Sequence, residues 1–334
     1  MAYTINPGFN AFGPRANYGY NFDLNGYNGT ETAYGSLWNA LGNYFRLHGQ
    51  FNDQFAYGGY RNDEFDLSGY GNLQDIYGGA GNDIVDSDGT WNDQLLHLGS
   101  GNNTANLYGK DNLFNAFSGR GNDTYNLGGT NNEGIVRAGN GQNKFNVNGK
   151  DNLFNLYSDD GNDTFNLEGD KNQGIVRSGN GDDTVTIKGN DNLYNVFTGN
   201  GSDTLNSGGD KTRLVSDLGA GNDKQIISGK SGIYESNLGA GDDLAQITGD
   251  NNKGTITGAE KIVVDGNGNK FLIKDGKVIE LGKTAKGNEL SLSGENDYTI
   301  PAGFTKHGDY YVDGNGNKIM ISKDYKGKII YTKV

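Results

Sequence analysis

Along the middle of the chain, apolar and polar residues alternate in short bursts that return every ten residues. Tyr125 and Leu127, Phe145 and Val147, Phe165 and Leu167, and Val185 and Ile187 are such pairs, each split by Asn or Thr. A period of two marks a strand with one buried face. Between bursts, glycine holds position 49 and every tenth position through 249, with Asp159 the one exception. The fourth residue of each unit is asparagine without a break from Asn62 through Asn132. Glycine and asparagine best tolerate left-handed backbone, so each unit reads as a turn followed by a strand. Such a unit cannot bury its own apolar side and has to stack on its neighbours.

Successive units differ. One kind, starting at 99, 119, 139, 159 and 179, reads GSGNNTANLY, GRGNDTYNLG, GNGQNKFNVN, DDGNDTFNLE and GNGDDTVTIK. The other, starting at 109, 129 and 149, reads GKDNLFNAFS, GTNNEGIVRA and GKDNLFNLYS. Two units then make one coil of twenty residues, with two strands facing each other and two turn edges. The expected fold is all-β, a β-roll-like β-solenoid over residues 49–258. In the second kind of unit, Phe114, Gly134, Phe154, Gly174 and Tyr194 share one column. Large over small fills a narrow core without voids. Apolar residues there fall on both parities, so this strand is expected to be buried on both sides. With Ala116, Val136 and Leu156 inward, the residues Phe117, Arg137, Tyr157, Arg177 and Phe197 point outward as an interaction stripe. Arginines between aromatics make cation–π contacts. The stripe is either covered by another part of the chain or is a contact surface.

Turns of the first kind, GxGND, GxGDD and GxGSD before an alternating strand, resemble the repeats-in-toxin family. These are the hemolysin-type calcium-binding repeats of secreted bacterial proteins, and the likeness covers roughly residues 59–248. It implies calcium held between coils by the aspartate that ends each turn. Carried over one position at a time, these are Asp63, Asp83, Asp123, Asp163, Asp183, Asp203, Asp223 and Asp243. A hard cation takes about six to eight oxygens, and stacked turns supply carboxylates and carbonyls at fixed height. The unit here is ten residues rather than nine, and Asn103 and Asn143 replace two of the aspartates. Counted from the glycine, Leu113, Glu133, Leu153, Gln173 and Leu193 hold the aspartate's place on the second edge. Calcium is therefore expected on one edge only. The alternative is a metal-free asparagine ladder, with amides bonding up the stack at both edges.

The ends read differently. Ala33, Leu37, Leu41 and Phe45 fall on one helical face, so residues 1–48 are expected to carry a short helical cap over 30–48. Residues 259–334 are expected to form a β-rich C-terminal domain with an internal duplication, since VDGNGNK occurs at 264–270 and again at 312–318. Lys270 and Lys318 stand where a calcium loop of that spacing needs glycine, so both copies read as hairpin turns.

Composition narrows the function. Only 33% of the 334 residues are hydrophobic and the net charge is −13, a profile of disorder, but 20 tyrosines and 15 phenylalanines contradict that. Residues 1–258 carry 16 Lys/Arg against 31 Asp/Glu and residues 259–334 carry 12 against 10, so −15 and +2 sum to −13. An acidic body is a poor partner for nucleic acid. No apolar run is long enough for a membrane-spanning helix. The start has no basic segment followed by an apolar core, and there is no cysteine, which suits a protein that leaves the cytosol. With the resemblance, this implies an extracellular protein exported without a cleaved N-terminal signal, by a type I-like route.

The three histidines, His48, His97 and His307, lie in unrelated contexts, and the uniform units leave no inserted loop to build a pocket. The expectation is not an enzyme but a secreted, calcium-binding structural or adhesive protein. It would associate with itself or attach to a carbohydrate or cell surface. A polysaccharide lyase or epimerase on the same scaffold is the alternative. A third reading is ice binding, from the outward ranks Thr124/Asn126, Thr164/Asn166 and Thr204/Asn206.

Overall fold

In the computed structural model, residues 10–12, 20–35 and 41–331 are described. Among them there is no helix, and the chain winds as a β-solenoid of about 14 turns. It divides into two compact units, Met1–Gly174 and Ile175–Val334.

In the first unit, strands go alternately to two parallel sheets, here called the first and second faces. On the first face Thr104 lies opposite Thr124 and Thr124 opposite Lys144; on the second, Leu113 lies opposite Glu133 and Glu133 opposite Leu153. Each partner is twenty residues on, which is the coil expected from the ten-residue beat. Identical positions therefore stack. The inward rings of Tyr125, Phe145 and Phe165 lie parallel, with centroids 5.4 and 4.4 Å apart. Across the core, Phe114 and Phe154 are buried with Gly134 between them, where a Cβ would come within 3.2 Å of the Cβ of Phe114. The large-over-small column is as the sequence suggests. Less expected is a buried glutamine rank: Gln74 donates to Gln54 at 2.9 Å and Gln94 to Gln74 at 2.5 Å. Amides that bond each other up the stack keep these polar side chains satisfied in the core.

Two expectations are corrected here. The second-face strand is buried on one side only, since Phe114 and Ala116 are buried while Leu113, Asn115 and Phe117 stay part-exposed. Its outward rings shield one another along the column rather than lying under another layer. At residues 30–48, Thr30–Tyr34 and Asn43–Gln50 are strands. Period-two burial wins over the helical spacing: Ala33 and Phe45 are buried, and Leu41 is exposed. Phe45 stacks between Phe22 and Phe65 at 4.8 and 4.7 Å. Leu37 lies outside the described residues.

In the second unit the parallel pairing continues past residue 258. Lys261–Val264 joins Leu244–Ile247, and Lys270–Lys274 joins Lys253–Thr257. Segment 264–270 is thus a solenoid corner, not a hairpin, because its flanking strands belong to different faces. Segment 312–318 is a hairpin turn, with Val312 opposite Lys318 in antiparallel register. There Asp313 Oδ1 accepts the amides of Asn315 and Asn317, both at 2.9 Å.

The glycine beat has a steric cause. Gly161 has φ 139° and its missing Cβ would overlap the carbonyl oxygen of Gly141 in the coil below. We expect Gly161→Ala to cost about 2–4 kcal/mol, read as a lower melting temperature. Gly119 is not in the left-handed region and a Cβ there stands 3.2 Å from the nearest oxygen, so Gly119→Ala should cost clearly less. Equal losses would show that the beat has another origin.

Candidate functional site: the first edge and the second face

Each turn that opens a first-face strand points its aspartate inward, not outward. In the first unit, Asp63, Asp83, Asp123 and Asp163 are all buried. Oδ1 of Asp63 accepts the backbone amide of Asn43 at 2.6 Å, and Oδ1 of Asp83 that of Asp63 at 2.7 Å. Asp123 and Asp163 accept likewise from Asn103 and Asn143, at 2.7 and 2.6 Å. In the second unit, Asp183 donates its amide to Asp203, Asp203 to Asp223 and Asp223 to Asp243, at 2.7 to 2.8 Å. Each coil is thereby tied to the next by a side-chain oxygen that accepts a backbone N–H, a carboxylate's except at Asn103 and Asn143, where it is an amide's.

The second edge carries an asparagine ladder of the same form. The amides of Asn92, Asn112 and Asn132 reach Oδ1 of Asn112, Asn132 and Asn152 at 2.8, 2.8 and 2.9 Å. The structural counterpart of Asp123 is therefore Asn132. Leu113, Glu133 and Leu153, matched to the aspartates by distance from the glycine, point outward instead. The two turns differ in length by one residue, which counting from the glycine does not register.

The second atom of each ladder side chain separates asparagine from aspartate. Asn143 Nδ2 donates to the carbonyls of Gly139 and Gly141 at 3.0 and 3.2 Å, and Asn103 Nδ2 to that of Gly101 at 3.2 Å. Aspartate puts an oxygen in that place. Oδ2 of Asp63, Asp83, Asp223 and Asp243 is buried without a hydrogen-bond partner. At Asp123 the hydroxyl of Ser118 supplies one, at 2.6 Å. Burial pushes the carboxyls of Asp63 and Asp163 up to about 6 and those of Asp83 and Asp223 up to about 7. The amides that donate to Oδ1 oppose this but do not cancel it. Burial also raises Asp123, Asp203 and Asp243. An oxygen facing carbonyl oxygens in a dry place needs a proton or a cation. The hard oxygen donors suit calcium in kind. Among the described residues no three His, Cys, Asp or Glu side chains converge on one point. A cation there would need glycine carbonyls to fill its shell.

On the second face, an outward column runs through the first unit. Tyr34, Tyr57, Tyr77, His97 and Phe117 stack with centroids 4.8, 4.9, 4.9 and 5.4 Å apart. Arg137 then lies over Phe117 at 5.7 Å and over Tyr157 at 5.1 Å. Phe117 and Tyr157 are part-exposed and Arg137 is exposed. In the second unit Arg177 lies over Phe197 at 5.3 Å, and the column passes to polar Asp217 and Asn237. The cation–π alternation is as the sequence suggests. Reading from Phe117 missed the four aromatic positions before it. The signal was present, for Tyr57, Tyr77 and His97 each precede a beat glycine by two residues, as Phe117 does.

The outward asparagine rank of the first face bonds to itself. Asn126 donates to Asn106, Asn146 to Asn126 and Asn166 to Asn146, at 2.6, 2.7 and 3.0 Å. Its amides are thus engaged along the stack. No protein-family model, curated protein or solved structure matches the chain.

Proposed function

We propose that this chain is an extracellular structural repeat protein that associates with copies of itself through its second face. The observation that carries this reading is the outward column of stacked, part-exposed aromatic rings, continuous from Tyr34 to Phe117. Soluble monomers seldom expose a contiguous apolar strip of this kind. Covering it removes apolar area from water at about 25 cal/mol per Å². Calcium belongs to the same reading: Asp63, Asp83, Asp123, Asp163, Asp183, Asp203, Asp223 and Asp243 would hold it along the first edge, with glycine carbonyls. It would neutralise buried carboxylates and stiffen the coil, and an extracellular setting would supply it.

The test is Tyr57→Ser with Tyr77→Ser and Phe117→Ser, three rings of that column, compared with the parent by light scattering and electron microscopy. The parent should grow in size with concentration, and the triple variant should weaken this about tenfold or more. A parent that stays monomeric at high concentration, with calcium present, removes self-assembly from the reading.

A further inference from the structure

At the second edge, one residue in each turn takes left-handed backbone. Asp111, Asn131, Asp151 and Lys171 hold that place with φ of 56° to 58°, and Phe51 and Trp91 hold it with φ of 54° and 63°. Asn and Asp settle there readily, whereas a bulky aromatic costs about 1–3 kcal/mol. Burial is incomplete at both, with Phe51 48% exposed and Trp91 62%. With Tyr27 and Tyr70 they form a ridge, successive centroids 6.2, 5.4 and 6.5 Å apart. Gly71 makes room for it, since a Cβ there would stand 2.8 Å from two ring carbons of Phe51. Strained aromatic rings left this exposed mark side chains kept for something outside the coil.

The surroundings say what that is. Residues 20–100 carry 2 Lys/Arg, Arg46 and Arg61, against 11 Asp/Glu. Asp53 and Asp93 are exposed two residues from the ridge rings. The last part of the chain has the opposite balance, with 12 Lys/Arg against 10 Asp/Glu in residues 259–334. It too exposes apolar side chains: Tyr310 at 39%, Ile330 at 48% and Tyr331 at 45%. Its lysines already lie over rings, Lys318 over Tyr310 at 6.0 Å and Lys306 over Tyr311 at 5.8 Å.

We propose that the ridge of Tyr27, Phe51, Tyr70 and Trp91 docks the lysine-rich tail of a second copy of this chain. The proposal rests on self-association but uses residues apart from the second-face stripe. Tail ammonium groups would lie on the ridge rings, with Asp53 and Asp93 beside them to take the charge. Unlike patches on one chain make a heterologous contact, so each copy can receive one neighbour and engage another.

The test uses two full-length variants in low salt, followed by analytical ultracentrifugation. Phe51→Asn with Trp91→Asn gives the ridge the residue type that Asn131 has in the same place. Its melting temperature should hold or rise, whereas a merely structural ridge would lose stability. Lys306→Glu, Lys318→Glu and Lys323→Glu change exposed tail lysines. The parent should associate with concentration and loosen with salt, and each variant alone should bind itself about tenfold more weakly or less. Mixed in equal amounts, with the second-face substitutions also present in both, the two variants should form one-to-one dimers and nothing larger, because each keeps one good half. The proposal is overturned if either variant associates as the parent does, if the mixture stays monomeric, or if the parent is monomeric with its own tail cross-linked to the ridge. Retention of the parent but not the ridge variant on a neutral polysaccharide, without any change in oligomeric state, would assign the ridge to a glycan instead. Loss of association only in the second-face variant overturns this proposal and keeps association through the second face; loss only in the ridge and tail variants does the reverse.

Discussion

With no divalent cation present, the melting temperature falls as the pH is raised from about 4 to about 8. The ordinary protein gains stability over much of that range, because paired carboxylates bind fewer protons folded than unfolded. Here the sign is reversed. Burial raises the carboxyls of Asp63, Asp83, Asp163 and Asp223 from 3.8 to about 6 or 7, so the folded state holds protons that the unfolded chain releases. Their contribution is complete below about 3.8 and is lost as the pH passes through 6 to 7. For Asp83, from 3.8 to about 7, the loss by pH 8 is on the order of 4 kcal/mol. Circular dichroism melts in chelator across this range measure it. A melting temperature that rises steadily to pH 8 would sink the idea.

Asparagine gives the cleaner form of the same test. Asp83→Asn and Asp223→Asn place an NH2 where Oδ2 has no partner, as Asn103 and Asn143 already do. Each should stabilise the protein at pH 8 by about 1–3 kcal/mol, the cost of an unsatisfied buried polar group, and flatten the pH profile. At pH 4, where the carboxyl is protonated and can itself donate, the gain should shrink. Asp123→Asn should gain less, since Ser118 already donates to that carboxylate at 2.6 Å.

Much of this was legible in the sequence because each rule acted at every coil. The twenty-residue register, the inward Tyr125 and Leu127, and the glycine-spaced aromatics of the core follow from the beat alone. Phe117, Arg137 and Tyr157 as an outward column also followed, since parity fixes the side of a strand. The corner aspartates were found but their surroundings were not. A sequence gives a residue's distance from a glycine and not the direction a turn takes, so Glu133 was matched to Asp123 where Asn132 is its counterpart. Phe45 read as helical because Ala33, Leu37, Leu41 and Phe45 fit a period near four as well as Phe45 and Leu47 fit a period of two. Only pairing with Phe22 and Phe65 decides between them. The left-handed φ of Phe51 and Trp91 was legible only through their register with Asp111, Asn131 and Asp151, because aromatics are the residues least expected there.

Calcium added at about pH 8 should raise the melting temperature, and the same addition at about pH 4.5 should do little. A cation and a proton satisfy the same buried oxygens, so each is needed only where the other is missing. Binding to the folded state alone stabilises by about 4 kcal/mol when free calcium exceeds Kd a thousandfold. For a protein of this size that is a shift of several degrees or more. Asp83→Ala and Asp223→Ala should weaken the calcium response, while Glu133→Ala, whose side chain is exposed on the second edge, should leave it intact. Asp83→Asn separates the two ligands: it should lower the calcium response while raising stability in chelator. Mutants with these opposite signs would place the cation on the first edge. A melt at pH 8 that is the same in excess calcium and excess chelator, together with a stabilised Asp83→Asn, would leave the ladder held by protons and amides alone.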